Sequence, residues 1–290
     1  MNRLEFIKSV ITGFAGMNTL KDLHNLPQQH GDENKKMPVL FVGHGSPMNG
    51  IEDNEFSLRW SAMGKEIPTP TAVLCISAHW FTKGTHITAM EHPKTIHDFY
   101  GFPKALFDIE YPAPGNPMLA KETTSLVHTT SVGLDHDWGL DHGTWSVVRK
   151  MYPKANIPVL QLSIDYTRKP QFHFDLAKEL SALRKKGVLI IGSGNMVHNL
   201  GILDWKRMDS GYDWAVEMNE VFKKSITNRD HQALINFENL GTAGKLAIPT
   251  PEHYLPMLYA LGLQEKNEEA VFFNDKTLMG SISMTSFRLG

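Results

Sequence analysis

The chain has 290 residues, a formal net charge of −2 and a hydrophobic fraction of 41%. This length is sufficient for one large domain or two small ones. The nearly balanced charge gives no electrostatic attraction to nucleic acid or an anionic membrane, so neither is expected as a partner. The single cysteine, Cys75, excludes an intramolecular disulfide. The sequence contains no apolar run of about 18 residues, so it predicts no transmembrane helix.

Residues 1–36 are interpreted as an N-terminal extension and linker. Apolar residues from Leu4 to Phe14 recur at helical spacing, and the polar stretch 30–36 follows. Lys8 interrupts the apolar segment and no small-residue cleavage site follows, which favours a docking helix over a secretory signal. A cytoplasmic location is therefore expected, with export left open.

The following residues alternate between strand and helix patterns. Apolar runs typical of strands buried on both faces occur at 38–42, 72–77, 157–164 and 187–191, the last followed by a predicted turn at 192–194. Helices are predicted at 117–128, 146–151, 170–185, 212–225, 229–236 and 252–261. Late strands at 270–273 and 281–287 are expected to pair antiparallel. This order predicts a layered α/β/α fold with a central mixed sheet.

The connection 82–117, called the flap below, is unusually long and contains many prolines, glycines and aromatic residues. Loops of this length in compact domains are usually functional or disordered. The aromatic content argues against disorder. We therefore expect an ordered flap that helps to wall a pocket.

Histidines follow three of the predicted strands. His44 and His79 directly end the first two apolar runs, and His198 follows the fourth after the glycine turn. Open α/β sheets form their sites at the carboxyl ends of strands, and imidazole is a common ligand of iron and zinc. The pattern predicts a metal or catalytic site.

Two further segments contain candidate residues. His253 lies among prolines that restrict its backbone, and its neighbour Glu252 is an alternative ligand, as in iron sites with two histidines and one carboxylate. His142, between Asp141 and Gly143, is a candidate acid/base or substrate hydrogen-bond donor, although a polar loop is an equal alternative. The sequence lacks a Gly-x-Ser-x-Gly elbow, a Walker loop, a complete dinucleotide fingerprint and a His-Glu-x-x-His pair.

Seven segments in order resemble the 4,5-DOPA extradiol dioxygenases, which belong to the LigB-like class of ring-opening enzymes. The segments are 43–47 (GHGSP), 77–80 (SAHW), 95–103 (TIHDFYGFP), 111–115 (YPAPG), 140–145 (LDHGTW), 192–199 (GSGNMVHN) and 250–254 (TPEHY). The resemblance implies that residues 37–290 form one α/β domain with a single non-haem metal in a cleft.

The resemblance also implies which residues form the metal site. His44 and His79 match metal ligands, and His198 and His253 match the remaining metal-site histidines. In the wider class, two histidines and one glutamate hold Fe(II). The chain departs from that pattern, because His253 stands at the third ligand position, and this leaves the role of Glu252 open.

Catalytic and substrate-binding roles are implied in the same way. His198 matches an acid/base close to the metal, and His142 matches a group that hydrogen-bonds the substrate. Substrate contacts are expected from His97, Phe99 and Tyr100 in the flap.

The function implied is cleavage by O2 of the ring of a small, DOPA-like catechol beside its diol. Fe(II) is the cofactor expected for activity, and Zn(II) is expected to fit the same histidines without redox chemistry. The main alternative is a zinc-dependent hydrolase with a metal-bound water as nucleophile, and a third is a non-catalytic metal-binding protein. The physiological catechol and the oligomeric state are left open.

Overall fold

The structure is a computed structural model that describes residues 36–290. Its main sheet contains β1 (Val39–Gly43), β2 (Ala72–Thr82), β3 (Thr85–Thr88), β4 (Val132–Asp135), β5 (Val159–Asp165), β6 (Val188–Gly194), β7 (Ala270–Phe273) and β10 (Ser286–Leu289). A small second sheet pairs β8 (Thr277–Leu278) with β9 (Ile282–Ser283). The predicted N-terminal extension lies outside the described residues except for Lys36, and the division between extension and domain stays a prediction.

The strand order of the main sheet is β4-β3-β5-β2-β6-β1-β10-β7. The four central strands, β5, β2, β6 and β1, run parallel to one another. On one side β3 runs antiparallel to β5, and on the other β10 runs antiparallel to both β1 and β7. The prediction of a mixed sheet is confirmed, and its parallel centre brings several carboxyl ends to one edge.

Helices connect the strands and cover the sheet. They are α1 (Glu55–Glu66), α2 (Lys104–Phe107), α3 (Pro117–Leu126), α4 (His142–Met151), α5 (Pro170–Glu179), α6 (Ser181–Lys185), α7 (Asp213–Thr227), α8 (His231–Ile235), α9 (Gly241–Ala247) and α10 (Leu255–Gly262). None of these described helices is long and apolar enough to cross a membrane.

Alternate residues of the central strands enter two different hydrophobic cores. Val39 and Phe41 of β1 belong to the core that includes residues of α5, α7 and α10, whereas Leu40 and Val42 belong to the core with α1 and α4. A strand alternates its side chains between the two faces of the sheet, so both faces are covered by helices. The layered α/β/α prediction is confirmed.

Several boundaries differ from those predicted. The expected turn at 192–194 is the end of β6, because Ser193 and Gly194 pair with β1. The helix predicted at 170–185 is interrupted at Leu180, between α5 and α6. Helix α4 begins at His142, four residues earlier than predicted, because the Asp141 side chain accepts a hydrogen bond from the backbone N–H of Thr144 and caps the helix.

Candidate metal centre

Three histidines meet at the carboxyl edge of the parallel strands. His44 directly follows β1, and His79 lies near the end of β2. His253 lies two residues before the start of α10. One ring nitrogen of each lies within 4.8 Å of the ring nitrogens of the other two. His44 is 1% exposed and His253 is 7% exposed, so both imidazoles are shielded from solvent.

The protonation of His44 follows from its neighbour on β6. The Ser193 hydroxyl donates to the carbonyl of Gly143 at 2.5 Å, so its oxygen is left to accept from Nδ1–H of His44 at 3.0 Å. A neutral imidazole carries one proton. Nε2 of His44 therefore carries no proton and has a free lone pair.

The same argument applies to His79. Its Nδ1 lies 3.1 Å from Oδ2 of Asp98, and because a carboxylate only accepts, Nδ1 is the donor. Nε2 of His79 then faces Nε2 of His44 at 3.1 Å. Two lone pairs at that distance repel each other unless a proton or another cation lies between them.

Nδ1 of His253 faces an acceptor oxygen as well, which belongs to the side chain of Asn195. The amide NH2 of Asn195 donates to the carbonyl of Ser283 at 2.8 Å, and its oxygen lies 3.3 Å from Nδ1 of His253. This arrangement again leaves Nε2 free. Each of the three histidines thus binds a separate acceptor through Nδ1, the arrangement that orients imidazole ligands of metals.

The loop that carries His253 rests directly on β6. A Cβ atom added to Gly194 would lie 2.1 Å from the carbonyl oxygen of His253, and one added to Gly192 would lie 2.2 Å from that of Pro256 in the first turn of α10. Only glycine permits this approach of two backbones. The glycines of this segment therefore position the third histidine.

His142 lies beside the three. Its ring centroid is 3.9 Å from that of His79, and its Nδ1 lies 3.0 Å from Oδ1 of Asp98. Asp141, which caps α4, is fully buried and accepts hydrogen bonds from Ser77 at 2.7 Å and from Gln161 at 2.6 Å. This network fixes the first turn of α4 and thereby the position of His142.

His198 is placed differently. Its ring stacks on His253 with centroids 3.5 Å apart and planes 9° apart. Two groups of potential metal ligands occur among residues 36–290, His44 with His79 and His253, and His79 with Asp98 and His142, and neither includes His198. Glu252 is also outside both groups, and its carboxylate accepts a hydrogen bond from Thr250 at 2.7 Å.

Burial keeps most of these imidazoles neutral. Burial, and then the charge of His79, lower the pKa of His44 and of His142, and burial with the charges of His79 and His142 lowers the pKa of His198 to about 4. Burial and the charge of His198 hold the pKa of His253 well below its usual range. Neutral imidazoles have the free lone pairs that a metal needs.

Asp98 raises the pKa of His79, whereas the pKa values of the other histidines of the site are lowered. Burial alone would lower the pKa of His79, but the hydrogen bond to Asp98 and the charge of Asp141 raise it. Burial would raise the pKa of Asp98, but hydrogen bonds from His142 and His79 hold it well below its usual range. The centre therefore contains one firmly ionised carboxylate and one basic imidazole among neutral ones.

The flap residues expected to bind substrate occupy three different environments. The Phe99 ring packs against His142 with centroids 5.7 Å apart. Nε2 of His97 donates to the carbonyl of Ile109 at 2.9 Å, within the flap. Tyr100 is 93% exposed, so the structure does not bring it into the histidine cluster. Their substrate-binding roles stay predictions.

The oxygen atoms that accept from Nδ1 of the histidines were not predicted from the sequence. Asp98, Ser193 and Asn195 each lie inside a segment that carried the resemblance, but none was given a function. The signal that could have found them is chemical, because a metal-bound imidazole almost always donates its other N–H to an oxygen. Each is a short oxygen-bearing side chain near an identified histidine in sequence: Asp98 follows His97, Asn195 lies three residues before His198, and Ser193 lies five residues before it.

Comparisons with known proteins agree over most of the chain. A family model for the catalytic LigB subunit of aromatic ring-opening dioxygenase matches residues 38–285. The chain is 47% identical to the 4,5-DOPA dioxygenase extradiol of Escherichia coli (strain K12), covering 88% of this chain and 95% of that protein. It is 34% identical to the protein of that name from Beta vulgaris, covering 89% and 98%. The crystal structure of an uncharacterized protein from Escherichia coli K12 is similar, with a TM-score of 0.77, 42% identity and coverage of 88% and 100%.

Proposed function

The chain belongs to the LigB family of aromatic ring-opening dioxygenase catalytic subunits and is an extradiol dioxygenase, and from this premise we propose its metal ligands and substrate. His44, His79 and His253 hold a single metal ion. The substrate is a small catechol that resembles DOPA, the compound in the names of the two relatives described above.

The facing nitrogens of His44 and His79 are the observation that carries the proposal. Their Nε2 atoms lie 3.1 Å apart, and each ring donates its Nδ1–H elsewhere. A cation between these lone pairs would remove their repulsion. Imidazole donors suit both Fe(II) and Zn(II), and the functional ion is proposed to be Fe(II), which would supply the redox chemistry that Zn(II) lacks.

His198 is proposed as the group that accepts a proton from the catechol. Its ring is neutral near pH 7, since burial lowers its pKa to about 4, and its stacking on His253 keeps it next to the centre. A base must be unprotonated and within reach of the proton that it removes. Position and protonation state both support this role.

His142 is proposed to hydrogen-bond the substrate. The bond from its Nδ1–H to Asp98 supports an acceptor role for Nε2 in the neutral ring, whereas the donor role considered from the sequence requires a second proton. Phe99 lies against His142, and its ring packs on Phe102 and Phe107 with centroids 5.5 and 5.0 Å apart. These flap residues would give an aromatic substrate an apolar wall.

The proposal is tested by anaerobic loading with Fe(II), followed by metal analysis and oxygen uptake with L-DOPA and simpler catechols. We expect one Fe(II) per chain, one O2 consumed per catechol and a new visible absorption from the ring-opened product. The variant His253→Ala should lose the metal, and His86→Ala, which changes an outlying histidine, should keep it. Absence of oxygen uptake with one Fe(II) bound would contradict the proposal, and ester hydrolysis by the zinc form would then favour the hydrolase.

A further inference from the structure

We propose that Asp98 is a positioning residue that fixes the orientation of His79 and His142 together and thereby couples the flap to the metal site. This inference rests on the proposed function. Oδ2 of Asp98 lies 3.1 Å from Nδ1 of His79, and Oδ1 lies 3.0 Å from Nδ1 of His142. Oδ1 also accepts from the backbone N–H of His142 at 2.9 Å.

One carboxylate therefore determines two tautomers. Because a carboxylate accepts and never donates, both imidazoles in their neutral form carry the proton on Nδ1, and both Nε2 atoms keep a free lone pair. The Asp98 side chain is only 19% exposed, so water competes weakly for these bonds. Among the described residues, Asp98 supplies the only carboxylate oxygens within 4.0 Å of a ring nitrogen of His79 or His142.

Asp98 is also the point where the flap reaches the centre. The residues before it are fixed to the body of the protein, since Ile96 donates its N–H to the carbonyl of Leu140 at 2.7 Å and accepts from Nε1 of Trp145 at 2.9 Å. After Asp98, the side chain of Tyr100 is exposed, and the backbone turns at Gly101, whose φ is +77°. The segment has no helix or strand of its own between Ile96 and Pro103.

A metal on Nε2 makes the N–H on the other side of the ring a stronger donor, which strengthens its bond to a carboxylate. Metal binding at His79 should therefore hold the flap more firmly through Asp98. Such coupling is reciprocal, so Asp98 should in turn raise the affinity of the site for the metal.

The test is Asp98→Asn, which keeps the size of the side chain but replaces one acceptor oxygen with an NH2 donor. Asparagine can accept from one ring only, and its NH2 opposes the N–H of the other. We expect the dissociation constant for Zn(II) or Co(II), measured by chelator competition, to rise by about 10- to 100-fold. The Co(II) absorption spectrum should change, and side-chain ¹⁵N NMR of the metal-free variant should show one ring with its proton on Nε2.

Hydrogen exchange measures the coupling to the flap. In the wild type, addition of Zn(II) should slow exchange in residues 94–103, and in Asp98→Asn at saturating Zn(II) this protection should be largely lost. Asp108→Asn is the matched control, because Asp108 lies in the same flap and pairs with Lys104 at the surface. Asp98→Glu, which keeps both oxygens, should bind metal more tightly than Asp98→Asn.

A folded Asp98→Asn variant with wild-type metal affinity, tautomers and flap protection would overturn the inference. Should that variant not fold, the comparison of Asp98→Ala, which has no acceptor oxygen in its side chain, with Asp108→Asn decides, since a metal affinity and flap protection equal in these two would overturn the inference as well. Failure of the wild type itself to bind a metal would instead overturn the proposed function.

Discussion

Ser193 lies between two parts of the centre, accepting from Nδ1 of His44 at 3.0 Å and donating to the carbonyl of Gly143 at 2.5 Å. The hydroxyl therefore connects β6 with the residue that follows β1 and with the start of α4. Its donor is committed to a carbonyl, and this leaves His44 a single tautomer with a free Nε2.

Replacement of Ser193 by alanine should weaken metal binding without removing it. The imidazole of His44 would lose the acceptor that fixes its tautomer, and loss of such an outer contact costs about 10- to 100-fold in metal affinity. Chelator competition with Zn(II) measures this change. Ser163→Ala is the control, because Ser163 is equally buried but hydrogen-bonds Thr82 and the backbone of His86. Equal affinity in the two variants would argue against the assigned tautomer.

Replacement of His142 or His198 by alanine should leave one metal ion bound and lower turnover. Neither residue belongs to the group formed by His44, His79 and His253. Loss of a positioned acid or base typically costs about 10²- to 10⁴-fold in rate. Metal analysis and steady-state turnover are measured on the same Fe(II)-loaded samples. Normal turnover with intact metal would refute the catalytic role, and loss of the metal from His198→Ala would make His198 a ligand instead.

The stability of the metal-free protein should fall between pH 6.5 and pH 4, in part because of His173. This residue is fully buried, and burial lowers its pKa to about 4 in the folded state, against about 6.5 when unfolded. The unfolded chain therefore binds the extra proton as the pH falls through this window, and unfolding becomes more favourable.

The variant His173→Gln separates this contribution from that of the site histidines, which are common to both proteins. Glutamine can hydrogen-bond the hydroxyl of Tyr259, which lies 3.0 Å from Nδ1 of His173. On going from pH 7 to pH 5, the wild type should lose about 2 kcal/mol more stability than the variant. Urea unfolding in the presence of a chelator measures the free energy of unfolding of both proteins at each pH. If the two free energies changed in parallel with pH, His173 would take up its proton in the folded state as it does in the unfolded state.

Glu268→Gln should destabilise the fold strongly, because it breaks a buried ion pair. Arg184 is fully buried, and its guanidinium contacts both oxygens of Glu268 at 2.5 and 2.9 Å. An unpaired buried charge costs about 3–5 kcal/mol. Glu265→Gln is the control, because Glu265 is 52% exposed and pairs only with Lys36 among the described cations. Urea unfolding at pH 7 should show a loss of less than about 1 kcal/mol in the control.

The elements predicted correctly from the sequence are those whose burial is uniform. Strands β1, β2, β5 and β6 are apolar on both faces, so each is visible as a continuous run. Strands β3 and β4 escaped prediction, because they are four residues long and β4 is half-exposed. Helix α1 was also missed, although Asn54 and Ser57 form a capping box at its start.

The histidines of the site could be predicted from the sequence, but the side chains that hydrogen-bond them could not. His44, His79 and His253 stand in recognisable segments, and the structure brings them together. Their acceptors could not be assigned, because the contact of His44 with Ser193 spans 149 residues and that of His253 with Asn195 spans 58. The first pair is created by the register of β1 against β6, and the second by the packing of the loop of His253 against the end of β6.

The contact of β6 with the loop of His253 bears on how this enzyme can be altered. Gly194 touches the backbone of that loop and Gly192 touches the first turn of α10, so a larger residue at either position would displace the segment that carries His253. Mutant libraries that aim at a new substrate should lose the proposed metal site if they vary these glycines. Diversity placed at Phe99, Phe102 and Phe107 should change the proposed apolar wall while it leaves the backbone support of the proposed ligands in place.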